Sequence, residues 1–218
     1  VYVGVLGFRS NKKVLDERGL AVPELWSDLL KPELKGQVST AHPSTSGTAF
    51  TTLWTQVVLR GSEDAGLDYM KKMHANVLQY TKSGTAPGQI AGRGEVAVGL
   101  VFSHDCVKYR DEGMKDLVVS FPKEGTGYEI GGVALVKNSK HSEAAKKYID
   151  WAISADAQNL GQTVGSNQIL TNPNAKTNDK MAKLDEINLI DYDFAAAAAA
   201  KPELTKRFDE EVAAKPRQ

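Results

Sequence analysis

Residues 96–105 read VAVGLVFSHD. Seven residues without a polar side chain are followed at once by Ser103, His104 and Asp105. A strand that is apolar on both faces belongs in the middle of a sheet covered on both sides. The polar triplet then stands at the carboxyl end of that strand, where open α/β sheets place their ligands.

Working outward, the same pattern recurs. Short apolar runs at 1–8, 37–41, 76–80, 116–121 and 130–137 read as strands. Between them lie helical patterns. A helix is expected over 47–60, with Phe50, Leu53, Trp54, Val57 and Val58 on one stripe. A second covers 64–75, with Leu67, Met70 and Met73 inward. Others are expected at 86–95, 104–113 and 142–154, the last with Ala145, Tyr148, Ile149 and Ala152 at helical spacing. Residues 11–20 read as a short helix or turn ending at Gly19. Pro23 is placed to start a helix carrying Trp26, Leu29 and Leu30. This alternation predicts an α/β fold with a largely parallel sheet. The tail is less regular: a turn-rich loop over 163–179, then an alanine run broken by Pro202 and continued as a polar helix.

The totals exclude several classes. With 218 residues the chain can bury a sizeable core. Lys plus Arg and Asp plus Glu are 27 each, so the chain lacks the basic excess that binds a phosphate backbone, and no nucleic-acid partner is expected. One cysteine, Cys106, rules out an internal disulfide and a cysteine-rich metal site. No P-loop, HExxH, nucleophile elbow or cysteine pair occurs, which favours a binder over a catalyst; no cofactor or metal is expected. The chain opens in mid-strand, VYVGVLGF, without a start methionine or polar lead-in. It is read as an interior strand, with further chain and a targeting signal expected ahead of it.

Four stretches carry candidate chemistry. In AHPSTSGTAF (41–50), Ser44, Thr45, Ser46 and Thr48 crowd around Gly47 at the mouth of a helix. The first amides of a helix lack partners and the dipole is positive there, so such a mouth attracts anions. A helix cap needs only one of these hydroxyls, and both readings stand. YTKSGTAPG (80–88) repeats the arrangement, with Ser83, Gly84 and Thr85 beside Lys82. His104 and Asp105 either accept sugar hydroxyls or form a plain helix cap. As a catalytic cluster or metal site they lack an orienting third group and ligand spacing. EGTGYEIGG (124–132) is not a dinucleotide fingerprint, since a strand follows it; it delivers Tyr128 and Glu129.

Together PELWSDLLKPELKGQV, HPSTSGTAFT, YTKSGTAPGQIAGRGEVAVGLVFSHD, EGTGYEIGGVALV and NLIDYDF resemble the periplasmic solute-binding proteins of ABC importers. The type is the two-lobed type 2 fold, with mixed sheets flanked by helices. The resemblance runs from residue 1 to about 212. It implies a hinge strand at 1–8, lobe 2 over 9–120, a hinge crossing at 121–130, and the remainder of lobe 1 with C-terminal helices over 131–218. The first part of lobe 1 is expected to lie upstream. Ferric members of the group carry paired tyrosines after the strand that here ends in Phe102. This chain has Ser103-His104-Asp105 there and no tyrosine pair anywhere, which makes it resemble the sugar-phosphate-binding branch instead. That resemblance implies His104, Asp105 and Glu129 for the sugar hydroxyls. It implies Ser44, Ser46, Gly47, Thr48 and Ser83 for the phosphate. The expected partners are a small anionic ligand and an ABC permease, in the periplasm. A dimer through the exposed part of lobe 1 is one way to cover that surface.

Overall fold

A computed structural model describes residues 1–105, 109 and 113–214. The expected helix over 104–113 and Cys106 fall largely outside the described residues, although 103–105 and 109 are helical. The backbone of the fold is a single long strand, β1 (Tyr2–Asn11). Its second half joins the main sheet and its first half joins two short strands, so one strand serves two sheets.

In the main sheet the order is β3 (Val77–Thr81), β2 (Val38–Ala41), β4 (Val98–Phe102), β1, β5 (Leu117–Ser120). β2 is parallel to β3 and β4. β1 runs antiparallel to β4, with Leu6 opposite Phe102 and Phe8 opposite Leu100, and antiparallel to β5. The expected largely parallel sheet is therefore corrected to a mixed one. The parallel half is the part built from strand–helix–strand units, which need a crossover. β1 enters the sheet without one. Its other end pairs β6 (Tyr128–Gly131) and β7 (Ile169–Leu170), both antiparallel.

Helix α2 (Gly47–Arg60) starts at the Ser46 cap and stops at Gly61, whose φ of 79° is the left-handed conformation glycine adopts freely. With α3 (Glu63–His74) it covers one face of the sheet. Leu6, Phe8, Leu53, Leu67, Met70, Met73, Val98 and Leu100 form that core, and each is at most 1% exposed. The short helix α4 (Ala86–Gly92) covers the other face, where Ile90, Ala91, Val96 and Leu117 make a smaller cluster. Gly99 is required here: a Cβ would crowd the Pro87 carbonyl group and stand 3.2 Å from the Gly88 nitrogen.

Several elements differ from expectation. The helix expected from Pro23 is two 3₁₀ turns, Trp26–Leu30 and Pro32–Leu34, because Lys31 precedes a proline and is extended, with ψ of 132°. The strand expected over 130–137 ends at Gly131; no described strand pairs with 133–136, and Val136 is 75% exposed. The alanine run is not broken by Pro202. Helix α7 (Phe194–Phe208) passes through it, anchored beyond by the fully buried Leu204 and Phe208 and by the Thr205 hydroxyl, which donates to the Lys201 carbonyl. Helix α5 (Ser142–Ala152) forms as expected, but Tyr148 is exposed and no residue of it is fully buried. Helix α6 (Ala155–Thr163) and β7 were not expected. α1 (Lys12–Glu17) is the short helix before Gly19.

Candidate functional site

Parallel pairing of β2 with β3 and β4 puts three strand ends side by side: Ala41, Thr81 and Phe102. The loop after each strand therefore opens on one edge of the sheet. After β2 comes 42–48, after β3 comes 82–85, and after β4 comes 103–105.

The first two loops are tied together. The His42 amide donates to the Thr81 carbonyl at 2.8 Å, and the Thr45 hydroxyl donates to the Lys82 carbonyl at 3.3 Å. Gly84 sits directly against the mouth of α2: a Cβ there would lie 2.8 Å from Ser46 Oγ and closer still to the Thr48 hydroxyl. Ser46 Oγ accepts from the Ala49 amide at 3.4 Å, the cap of α2. Gly47 leaves the mouth open, since a Cβ there would meet nothing within 4 Å. Ser46, Gly47 and Thr48 thus gather with Gly84. Ser83 is in the same loop, exposed, its hydroxyl 3.0 Å from that of Thr85. Ser44 turns another way: its hydroxyl is 2.7 Å from His42 Nδ1, and His42 Nε2 lies 3.1 Å from Asp209.

The second group forms over Gly4. Glu129 on β6 is opposite Gly4 on β1, and a Cβ at Gly4 would lie 3.0 Å from Glu129 Oε1 and 3.1 Å from His104 Cε1. Glycine at position 4 therefore lets these two side chains meet. The His104 ring stacks on Phe102 at 6.0 Å and meets the Tyr2 ring edge-on at 5.8 Å. Its Nε2 is 4.0 Å from Asp105 Oδ1, and its Nδ1 is buried with no hydrogen-bond partner among the described residues.

Burial pushes the Glu129 carboxyl above its ordinary range; the Tyr2 hydrogen bond opposes this and the Asp105 charge adds to it. Burial also drives the His104 imidazole down, against the pull of Asp105 and helped by the charge of Arg9. The Tyr2 phenol is pushed up to about 12, chiefly by burial and then by Glu129. The group thus presents a neutral imidazole between two carboxyls, an acceptor-rich surface suited to hydroxyl donors. Tyr2 was missed in the sequence, where it reads as one more outward residue of an alternating strand. No group of three metal-ligating side chains occurs among the described residues.

Comparison with known proteins agrees with this architecture. The family model for bacterial extracellular solute-binding proteins matches residues 1–198. The chain belongs to that family. A Haemophilus influenzae protein of uncharacterised role is 42% identical over 204 residues, covering 92% of this chain and 58% of its own length. The chain thus spans little more than half of that relative. The periplasmic binding protein AfuA from Actinobacillus pleuropneumoniae, solved with exogenous fructose 6-phosphate, superposes with a TM-score of 0.92 at 38% identity. It is matched over 99% of this chain and 68% of its own. The periplasmic binding protein P5PA gives 0.87 at 32% identity, over 97% and 67%. The solute-binding protein's fold is the type 2 periplasmic-binding fold, an open mixed sheet flanked by helices.

Proposed function

We propose that this solute-binding protein captures a phosphorylated hexose between two lobes and delivers it to an ABC permease. The observation that carries the reading is the pairing of two unlike surfaces on one sheet edge. One is an open, hydroxyl-lined helix mouth at Ser46, Gly47 and Thr48. The other is the His104–Asp105–Glu129 group assembled over Gly4. A phosphosugar has the matching two ends.

At the anionic end, the free amides at the start of α2 and the hydroxyls of Ser46, Thr48 and Ser83 donate to phosphate oxygens. Charge-assisted bonds of this kind are about twice as strong as neutral ones. Ser44 contributes only if ligand draws its hydroxyl away from His42. At the sugar end, Asp105 and Glu129 accept from hydroxyls, and a sugar lacking one leaves a buried acceptor unpaired. β1 and the 121–130 crossing link the lobes, and closure about them buries the ligand. The action is capture without reaction, in the periplasm. The fructose 6-phosphate bound to AfuA, 38% identical to this chain, supports the choice of ligand class.

Thermal shift and calorimetry against fructose 6-phosphate, glucose 6-phosphate, free fructose, ferric citrate and spermidine test the reading. The phosphosugars are expected to raise Tm and the others to leave it unchanged. Stabilisation by ferric ion or spermidine alone overturns it.

A further inference from the structure

Arg9 lies in the second half of β1, on the face covered by α4, and is fully buried. None of its three side-chain nitrogens has a hydrogen-bond partner among the described residues. The guanidinium carbon stands 4.9 Å from the centre of the Tyr109 ring, and Nη1 lies against Gly88 in the first turn of α4. A guanidinium carries five donors and keeps its charge at any working pH. Burying it without an anion is strongly unfavourable, and one ring face offsets only part of that.

Among the described residues no carboxylate is hydrogen-bonded to Arg9. The crevice beside Arg9 is too narrow to admit a water molecule. It is lined by Gly7, Val101 and Ser103 among others, and so runs from Arg9 toward the edge where His104 and Asp105 begin. Arg9 also stands near the anion end: Gly88, against which its Nη1 lies, is in the first turn of α4, and the loop leading into that helix carries Ser83 and packs on Ser46 and Thr48 through Gly84. Meanwhile the acids at that edge, Asp105 and Glu129, repel an incoming anion. Lys82 is exposed, where solvent and salt screen it.

We propose that Arg9 is the countercharge for the ligand's anionic group, acting from beneath the cleft floor without touching the ligand. The inference rests on the phosphosugar reading above. Arg9 is then a positioning residue: the fold tolerates an unpaired cation because bound ligand completes the pair. An unscreened charge in a medium of intermediate dielectric still acts over several ångströms.

The test compares glucose 6-phosphate, close to a dianion at pH 7.5, with glucose 6-sulfate, a monoanion. Calorimetry on the full chain is expected to show tighter binding of the phosphate. Arg9→Gln should narrow that preference by about 10- to 30-fold, the effect of removing one charge that acts over roughly 10 Å at an effective dielectric of about 20. Arg9→Lys should keep it within about threefold. A merely structural role would weaken both ligands alike and leave the preference unchanged, which overturns the proposal. Should Arg9→Gln not fold, the wild-type chain decides. A buried source predicts a preference that survives from 50 to 500 mM NaCl, whereas collapse with salt assigns the charge to the surface and overturns it. If the wild type binds no phosphosugar at all, the functional reading itself falls; if it binds but Arg9→Gln matches it, only the role of Arg9 does.

Discussion

The Tyr2 hydroxyl donates to Glu129 Oε1 at 3.0 Å across the antiparallel pair of β1 and β6. Gly131, opposite Tyr2, makes this possible: any side chain there would collide with the phenol ring. The bond fixes one carboxylate oxygen of Glu129; on the proposed phosphosugar reading the other accepts from the ligand. It also counters the upward push that burial exerts on this carboxyl.

Tyr2→Phe keeps the ring and removes the hydroxyl. The Glu129 carboxyl should then rise further above its ordinary range and lose its fixed orientation. A net hydrogen bond is worth about 0.5–1.5 kcal/mol, so affinity for fructose 6-phosphate is expected to fall about 2- to 10-fold. The loss should be largest below neutral pH, where the freed carboxyl protonates. Calorimetry between pH 5 and 8 checks this, and a uniform loss across that range would show that Tyr2 acts only through packing.

His104 sets a pH dependence of stability. Its folded imidazole is held below the ordinary value, chiefly by burial. The unfolded chain therefore takes up a proton that the folded chain refuses. The stabilisation is complete above the ordinary imidazole range and is lost as pH falls through that range toward the folded value. His104→Gln should flatten this part of the curve. Glu129 works in the opposite sense lower down: its raised folded value means that protonation favours the fold as pH drops below it. Urea unfolding from pH 8 to pH 5 for wild type and His104→Gln reads the difference. Parallel curves would remove His104 from the account.

What the sequence made legible follows how local each determinant is. Helix α2 was bounded to the residue because Ser46 and Gly61 mark its ends chemically. β4 was legible because its apolar run needs cover on both faces, and it has it. The direction of β1 was not, since pairing with β4 and β5 is decided by segments about 90 to 110 residues away. The run at 133–136 has strand chemistry but no described partner strand, and a ladder needs two strands. At the site, the hydroxyl cluster and the His-Asp pair could be named from neighbours in sequence. Tyr2 and Arg9 could not: each matters through a glycine far along the chain, Gly131 and Gly88 respectively.

The two glycines of the helix mouth should behave oppositely. A Cβ at Gly47 meets nothing within 4 Å, and alanine favours a helix by up to about 1 kcal/mol over glycine, so Gly47→Ala should hold or raise stability. It should still weaken phosphosugar binding, because the methyl group stands where an anion approaches the amides. At Gly84 the added Cβ runs into Ser46 and Thr48, and overpacking of this kind costs about 1–3 kcal/mol. Urea titration and calorimetry on both variants separate the effects. Unimpaired binding by Gly47→Ala would place the anion elsewhere.

Trp26 carries the last prediction, on the fold that holds the edge in place. Its ring is fully buried and meets Phe8 and Tyr69 edge-on at 4.9 and 6.3 Å. Its indole N–H donates to the Gly125 carbonyl at 2.9 Å, and its backbone amide donates to the Glu124 carboxylate. The Tyr69 hydroxyl in turn donates to the Trp26 carbonyl at 2.7 Å. One residue thus joins a 3₁₀ turn, α3 and the crossing that leads to Glu129. Trp26→Ala should cost about 3–5 kcal/mol, the usual range for emptying an aromatic site. Trp26→Phe keeps most of the volume but leaves the Gly125 carbonyl unpaired, a cost of about 1–3 kcal/mol. Because Gly125 precedes β6 by three residues, Trp26→Phe should also loosen Glu129. Its affinity for fructose 6-phosphate should fall further than that of an equally destabilised variant in α3, such as Met73→Ala. Equal affinities at matched stability would confine Trp26 to the core.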